Sequence, residues 1–160
     1  MRKLVKLLHS VGAIGLTGGL ATYMVALAAG PEMSDIEAYA ALRLSLDAVS
    51  SKIIVPSLGL TIVSGVMALA VHYPFSEAPW VWIKALSGLP LFEATLALVD
   101  APARDAAIAS AQAAAGEIGL AELALAVEDS WGGWTVLLIL CGANVVFGVW
   151  RPLFGKKIER

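Results

Sequence analysis

Apolar positions fall into four long runs separated by two mixed segments. Leu4–Ala29 is the first run, interrupted by Lys6 and His9. Ile53–Val71 is the second and contains Pro56. Pro79–Val99 is the third and contains Lys84, Pro90 and Glu93. Gly133–Trp150 is the fourth and contains Asn144. A helix that crosses the hydrocarbon of a bilayer needs roughly 20 mostly apolar residues. The pattern therefore predicts an all-α integral membrane bundle of four transmembrane helices, formed by one domain over residues 1–160. Pro56 stands near the start of its run, where a missing backbone donor matters least. Pro90 stands mid-run and predicts a kink.

The mixed segments, 30–52 and 100–132, have helical patterns of their own. Ser34-Asp35-Ile36-Glu37 reads as a capping box with Ser34 as the cap. Ile36, Tyr39, Leu42, Leu46 and Val49 follow at helical spacing and give one apolar side. Asp100–Ala115 is rich in alanine, a strong helix former, with Pro102 placed for a first turn. Gly116 is expected to break or bend that helix, with a second piece over Glu117–Glu128. Both segments are thus amphipathic helices in long outer loops, expected to lie at the bilayer interface.

Composition agrees. Hydrophobic residues make up 59% of the 160 and charged ones only 15%, against about 25% charged in soluble domains. The net charge of −2 offers nothing to a nucleic acid, so none is expected as a partner. Basic residues cluster at the two ends: Arg2, Lys3 and Lys6, then Arg151, Lys156, Lys157 and Arg160. Segment 30–52 has Arg43 and Lys52 against Glu32, Asp35, Glu37 and Asp47. Segment 100–132 has Arg104 against Asp100, Asp105, Glu117, Glu122, Glu128 and Asp129. Basic residues beside spans stay cytoplasmic. Both termini are therefore expected inside and both long segments outside, which requires an even number of spans. The basic head and Ala26-Leu27-Ala28 also fit a signal peptide, but the apolar stretch is long for one, and an uncleaved first helix is expected. Trp80, Trp82, Trp131, Trp134 and Trp150 flank the third and fourth runs as an interfacial belt. Gly15 with Gly19, and Thr61 with Gly65, are small pairs four residues apart. They suit close packing within the chain or a homodimer through the glycine faces.

Polar side chains are costly inside a membrane, so they are the candidate site residues. His9 and Lys84 each lie roughly 7 Å from the cytoplasmic side and Asn144 roughly 9 Å. These three are expected as an inner cluster. Glu93 lies nine residues beyond Lys84, about 13 Å along the helix and half a turn around it. It is expected with Tyr23 and Ser57 as an outer cluster. Long basic side chains near span ends also snorkel, which is the alternative for Lys84. For His9 the alternative is a bond to a backbone carbonyl, and for Asn144 a bond between helices. His72 reads as a loop residue. The lone Cys141 makes no disulfide within the chain, and the four methionines and two histidines form no ligand-rich run for copper.

Leu7-Leu8-His9-Ser10-Val11-Gly12-Ala13 followed by Gly18-Gly19-Leu20 resembles the first helix of the CopD-like group of bacterial membrane proteins. That group includes uncharacterised four-helix families and, more distantly, the HemJ-type protoporphyrinogen oxidases. Pro56, Thr61 and Gly65 are similar to the second helix of the group, and Pro79-Trp80-Val81-Trp82-Ile83-Lys84 to the opening of its third. The resemblance implies a bacterial cytoplasmic-membrane protein. Through the HemJ type it implies haem b, with His9 as axial ligand and Lys84 beside it. The chain has Met24-Val25-Ala26 where that type has an arginine and a second histidine. Three readings follow. The first is an accessory or assembly subunit that binds a protein partner in the bilayer. The second is a haem- or porphyrin-linked redox protein. The third is a small proton-coupled transporter using Glu93.

Overall fold

The computed structural model describes residues 2–71, 79–127 and 131–150, and among these there is no strand. Helix α1 spans Arg2–Ala28. Helices α2 (Ile36–Val49) and α3 (Val55–Val71) are joined by a π-helical turn, Ser50–Ile54. Helices α4 (Pro79–Thr95) and α5 (Ala101–Ala114) are joined in the same way by Leu96–Asp100. A short α6 (Leu120–Ala126) and the long α7 (Trp131–Trp150) complete the order. All four apolar runs are thus helical. Two helices, Lys3–Ala28 and Ile36–Ala70, are long and apolar enough to cross a membrane, and Gly132–Val146 is a shorter apolar helix. The basic residues Arg151, Lys156, Lys157 and Arg160 lie outside the described residues, as do His72, Glu128 and Asp129.

The two π turns correct the expected outer loops. Pro56 and Pro102 are not helix starts. Each follows a π turn by two residues inside one unbroken helix, 36–71 or 79–114. A proline within a helix donates no N–H and presses on the carbonyl four residues before it. Widening the preceding turn relieves that contact: Val55 N–H donates to Ser50 O and Ala101 N–H to Leu96 O, each five residues back. The helix over Ile36–Ala70 is therefore about 52 Å long at 1.5 Å per residue, well beyond the roughly 30 Å of a bilayer core. Instead of lying flat as separate pieces, α2 and α5 prolong α3 and α4 and pack on each other.

Local chemistry sets the ends. The cap of α2 is Asp35, not Ser34: its carboxylate accepts the Ala38 N–H at 3.3 Å. Tyr39, Arg43 and Leu46, four and three residues apart, are buried on one side of this helix. Gly116 ends α5 in the left-handed region (φ 75°). Glu117 N–H donates to Gln112 O and Gly116 N–H to Ala113 O, the Schellman pattern that satisfies the last carbonyls. Ile118 then packs beneath the turn with Met33, Ile36 and Ala113, on a small core of Tyr39, Ala106, Ala109, Leu123 and Val127.

The main core lies lower, among α1, α3, α4 and α7. It includes Leu16, Leu20, Tyr23, Ile54, Leu58, Leu91, Val99, Trp134 and Leu137. The closest seam is α1 against α3. A Cβ on Gly12 would lie 2.9 Å from the Ser57 carbonyl oxygen, and one on Gly19 would lie 2.9 Å from Ile54 Cγ1. The glycine faces are thus consumed within the chain. The outward faces of the four long helices are apolar, with Ile14, Val63, Leu86 and Ile139 all well exposed.

Candidate functional site

The helices run antiparallel in register, and the register decides which polar residues meet. His9 projects from α1 onto α3. Its Nδ1 lies 2.9 Å from the Thr61 carbonyl oxygen and 3.3 Å from Ser64 Oγ. A carbonyl only accepts, so Nδ1 carries the proton. Ser64 in turn donates to the Leu60 carbonyl and Thr61 Oγ1 to Ser57 O. Hydroxyls on a helix commonly bond back one turn in this way. The ring edge of His9 lies over Gly65, where an added Cβ would be 3.5 Å from Cε1.

Asn144 has different neighbours. Its Oδ1 accepts from Ser87 Oγ of α4 at 3.1 Å, and its Nδ2 donates to Leu140 O. Of the expected inner cluster, His9 bonds to α3 and Asn144 to α4. The side chain of Lys84 lies outside the described residues. An added Cβ on Gly15 would overlap Ser57 Oγ, so α1 and α3 are in direct contact along this seam.

The expected outer cluster is not assembled. Tyr23 is buried at 1% exposure and meets Trp134 edge-on, with ring centroids 5.0 Å apart and planes at 81°. Ser57 touches Gly15 instead, eight residues and about 12 Å down α1 from Tyr23. Glu93 is exposed on the outside of α4. The rotation of α4 turns Leu91, Thr95 and Val99 inward and so turns Glu93 out. Trp134 is likewise a correction: it is 2% exposed, a core residue and not part of an interfacial belt. Its Nε1 donates to Leu98 O at 2.6 Å. The donor four residues after Leu98 would be Pro102, which has no N–H, so Trp134 supplies one from another helix. Trp82 is half-exposed, and the side chains of Trp80, Trp131 and Trp150 lie outside the described residues.

A polar layer that the sequence reading missed sits where the π turns face each other. Ser50 Oγ, fully buried, donates to Asp100 Oδ1 at 2.9 Å. Asp100 Oδ2 accepts from Arg104 at 3.3 Å. The Arg104 side chain is 61% exposed, so that pair contributes little. Above this layer Arg43 is 2% exposed. Its Nε and one terminal nitrogen donate to Tyr39 Oη at 2.9 and 2.6 Å, and its guanidinium carbon lies 4.9 Å from the Tyr39 ring centroid. The signal for this layer was available: two prolines, each preceded by a helical pattern that does not stop.

Ser50→Ala is expected to cost about 1 kcal/mol, and Asp100→Ala about 2 kcal/mol because it leaves a buried hydroxyl without its acceptor. A double-mutant cycle on detergent-unfolding midpoints measures the coupling between them. Additive losses would show that the hydrogen bond across the π turns contributes nothing.

Among the described residues no group of three His, Cys, Asp or Glu is placed to hold a metal. The arrangement is a set of hydrogen-bonded joints between helices, with one carboxyl, Glu93, directed outward at mid-helix. No family model, no curated protein and no solved structure matches this chain.

Proposed function

We propose that this chain is a four-span protein of the bacterial cytoplasmic membrane, with both termini in the cytoplasm, acting as an accessory or assembly subunit. The observation that carries the membrane reading is the exterior of α1, α3, α4 and α7, where Ile14, Val63, Leu86, Leu89 and Ile139 are each more than half exposed. A water-soluble helix bundle presents polar residues there. The placement of basic residues at the chain ends supports the orientation. The resemblance of the first three spans to the CopD-like group supports the cellular setting. The polar side chains His9, Asn144, Ser87 and Ser50 hold helices together, which suits a scaffold better than a catalyst. On this reading α2, α5 and α6 form a rigid outer module that a partner grips.

Alkaline carbonate extraction should leave the chain in the membrane pellet. A reporter behind Arg160 should be cytoplasmic, and one inserted at Gly116 extracytoplasmic; release by carbonate or the reverse labelling overturns the membrane reading. Purification at native expression level should bring down one stoichiometric protein partner. Proton flux in vesicles that is abolished by Glu93→Gln would replace the accessory reading with a transporter. Protein made with haem supplied is expected to show no Soret band. A Soret band that disappears in His9→Ala would replace it with a haem protein.

A further inference from the structure

Two neighbouring helices share a spacing of buried residues that a regular helix cannot keep on one face. In helix 36–71 these are Leu46, Ser50, Ile54 and Leu58, and in helix 79–114 they are Leu91, Thr95, Val99 and Ala103. All are 7% exposed or less, and every step between them is four residues. Three steps of four carry a regular helix roughly 120° past three full turns. Leu58 would then face a different side from Leu46, and Ala103 from Leu91. The π turns Ser50–Ile54 and Leu96–Asp100 fall inside these two windows. A π turn takes in one residue more than an α turn, which removes about 100° of the drift and leaves about 20°. The other long helices are the control. Gly12, Leu16, Gly19 and Tyr23 are buried on α1 at steps of four, three and four, and Trp134, Leu137 and Cys141 on α7 at steps of three and four. Neither helix contains a π turn among the described residues.

We infer that the paired π turns are a phase joint, a device that holds α2 and α5 in one rotational setting on α3 and α4. Each turn stores one extra residue. That residue, and not the proline after it, keeps the buried stripe continuous from Tyr39 to Leu58 and from Leu91 to Ser110. The prolines fit a turn that the spacing already requires. The Ser50 hydroxyl bonds Asp100 at 2.9 Å across the two turns, which keeps them at one level. Closing the turn at Ser50–Ile54 with no residue removed would rotate α2 by about 100° on α3, and would carry Tyr39, Arg43 and Leu46 off the buried face. The outer segments and the long apolar helices therefore turn as one body. The joint follows from packing alone, whether or not the apolar helices cross lipid.

One cysteine pair reads the setting of α2. Gly30, just past the end of α1, faces it: a Cβ there would overlap the Leu42 side chain. In a Cys141→Ala background, Gly30→Cys with Leu42→Cys should close a disulfide under mild oxidation, read as loss of both thiols to a maleimide label. Adding Pro56→Ala should keep the parental yield, since the spacing is untouched. In that chain, deleting Ser51, an exposed residue of the turn, restores steps of four, three and four from Leu46 to Leu58 and should also keep the yield. Inserting an alanine after Ser51 instead adds a residue that the turn cannot absorb. The yield should then fall at least about tenfold, because thiols turned apart by about 100° cannot be bridged. Loss of the disulfide in Pro56→Ala overturns the inference and assigns the turn to the proline. Loss on deleting Ser51, or retention on inserting alanine, overturns it by showing that the stored residue does not set the phase. A deletion chain without a cooperative unfolding transition by circular dichroism also overturns it, because a regular helix with the same buried face should fold.

Discussion

Trp134→Ala is expected to destabilise the bundle by about 3 kcal/mol, the low end for truncating a core tryptophan. Three contributions sum at this residue. The ring fills the space between α1 and α7 and meets Tyr23 edge-on at 5.0 Å, a geometry worth about 1 kcal/mol beyond the buried area. The indole N–H serves Leu98 O at 2.6 Å, and Pro102 prevents the helix from serving it. On the proposed membrane reading, burial itself contributes less than in a soluble core, because lipid tails solvate an apolar ring as well as the core does. Trp134→Phe separates these terms. It keeps most of the ring contact and loses the donor, so a loss of about 1–2 kcal/mol is expected from the orphaned carbonyl. Unfolding by SDS in mixed micelles, followed by circular dichroism, measures both. A Phe variant as stable as the parent would show that Leu98 O finds another donor and that the pairing with Pro102 is incidental.

Gly12→Ala is expected to cost about 2 kcal/mol, and Gly12→Leu to prevent α1 from docking on α3 at all. A Cβ at Gly12 would meet Thr61 Oγ1 at 2.5 Å and the backbone at Ser57 O and Thr61 N, both at 2.9 Å. The hydroxyl can rotate away, but the backbone cannot, so the two helices must separate. Separation would also lengthen the bond from His9 to Thr61 O, and the loss should exceed the steric cost alone. Gly18, on the same helix, is the control. No atom lies within 4 Å of an added Cβ there, so Gly18→Ala should be neutral or stabilise by up to about 1 kcal/mol through helix propensity. Equal losses at Gly12 and Gly18 would mean that the seam does not lie where the contacts put it.

Several features could be read from residues alone because their causes are local. Helix over each apolar run follows from composition and length. The turn at Gly116 follows from the one residue type that reaches φ 75° without strain. The buried side of α2 follows from the spacing of Tyr39 and Leu46. By type alone Pro56 and Pro102 suit the first turn of a helix, where a missing N–H matters least. Here tertiary packing holds each helix through its proline, and a π turn takes up the contact. Ser34 and Asp35 are both good caps by type, and the structure uses Asp35, whose carboxylate accepts the Ala38 N–H. Depth along the helices puts Tyr23, Ser57 and Glu93 near one level, but depth says nothing about the rotation of each helix about its own axis.

Residue pattern alone tells where this chain is helical, which segments are apolar, and that its charges lie at the ends and in the two mixed segments 30–52 and 100–132. Those properties are sums over neighbouring residues and do not depend on what packs where. Packing of the helices against one another is what makes His9 bond to α3 and Asn144 to α4, places Trp134 in the core, brings Ser50 to Asp100 across paired π turns, and turns Glu93 outward. Each of those outcomes depends on the relative register and rotation of two helices. A shift of one residue along a helix turns every side chain by about 100°, so a pattern that specifies the helix well leaves its partners open until the glycine seam and the prolines are packed.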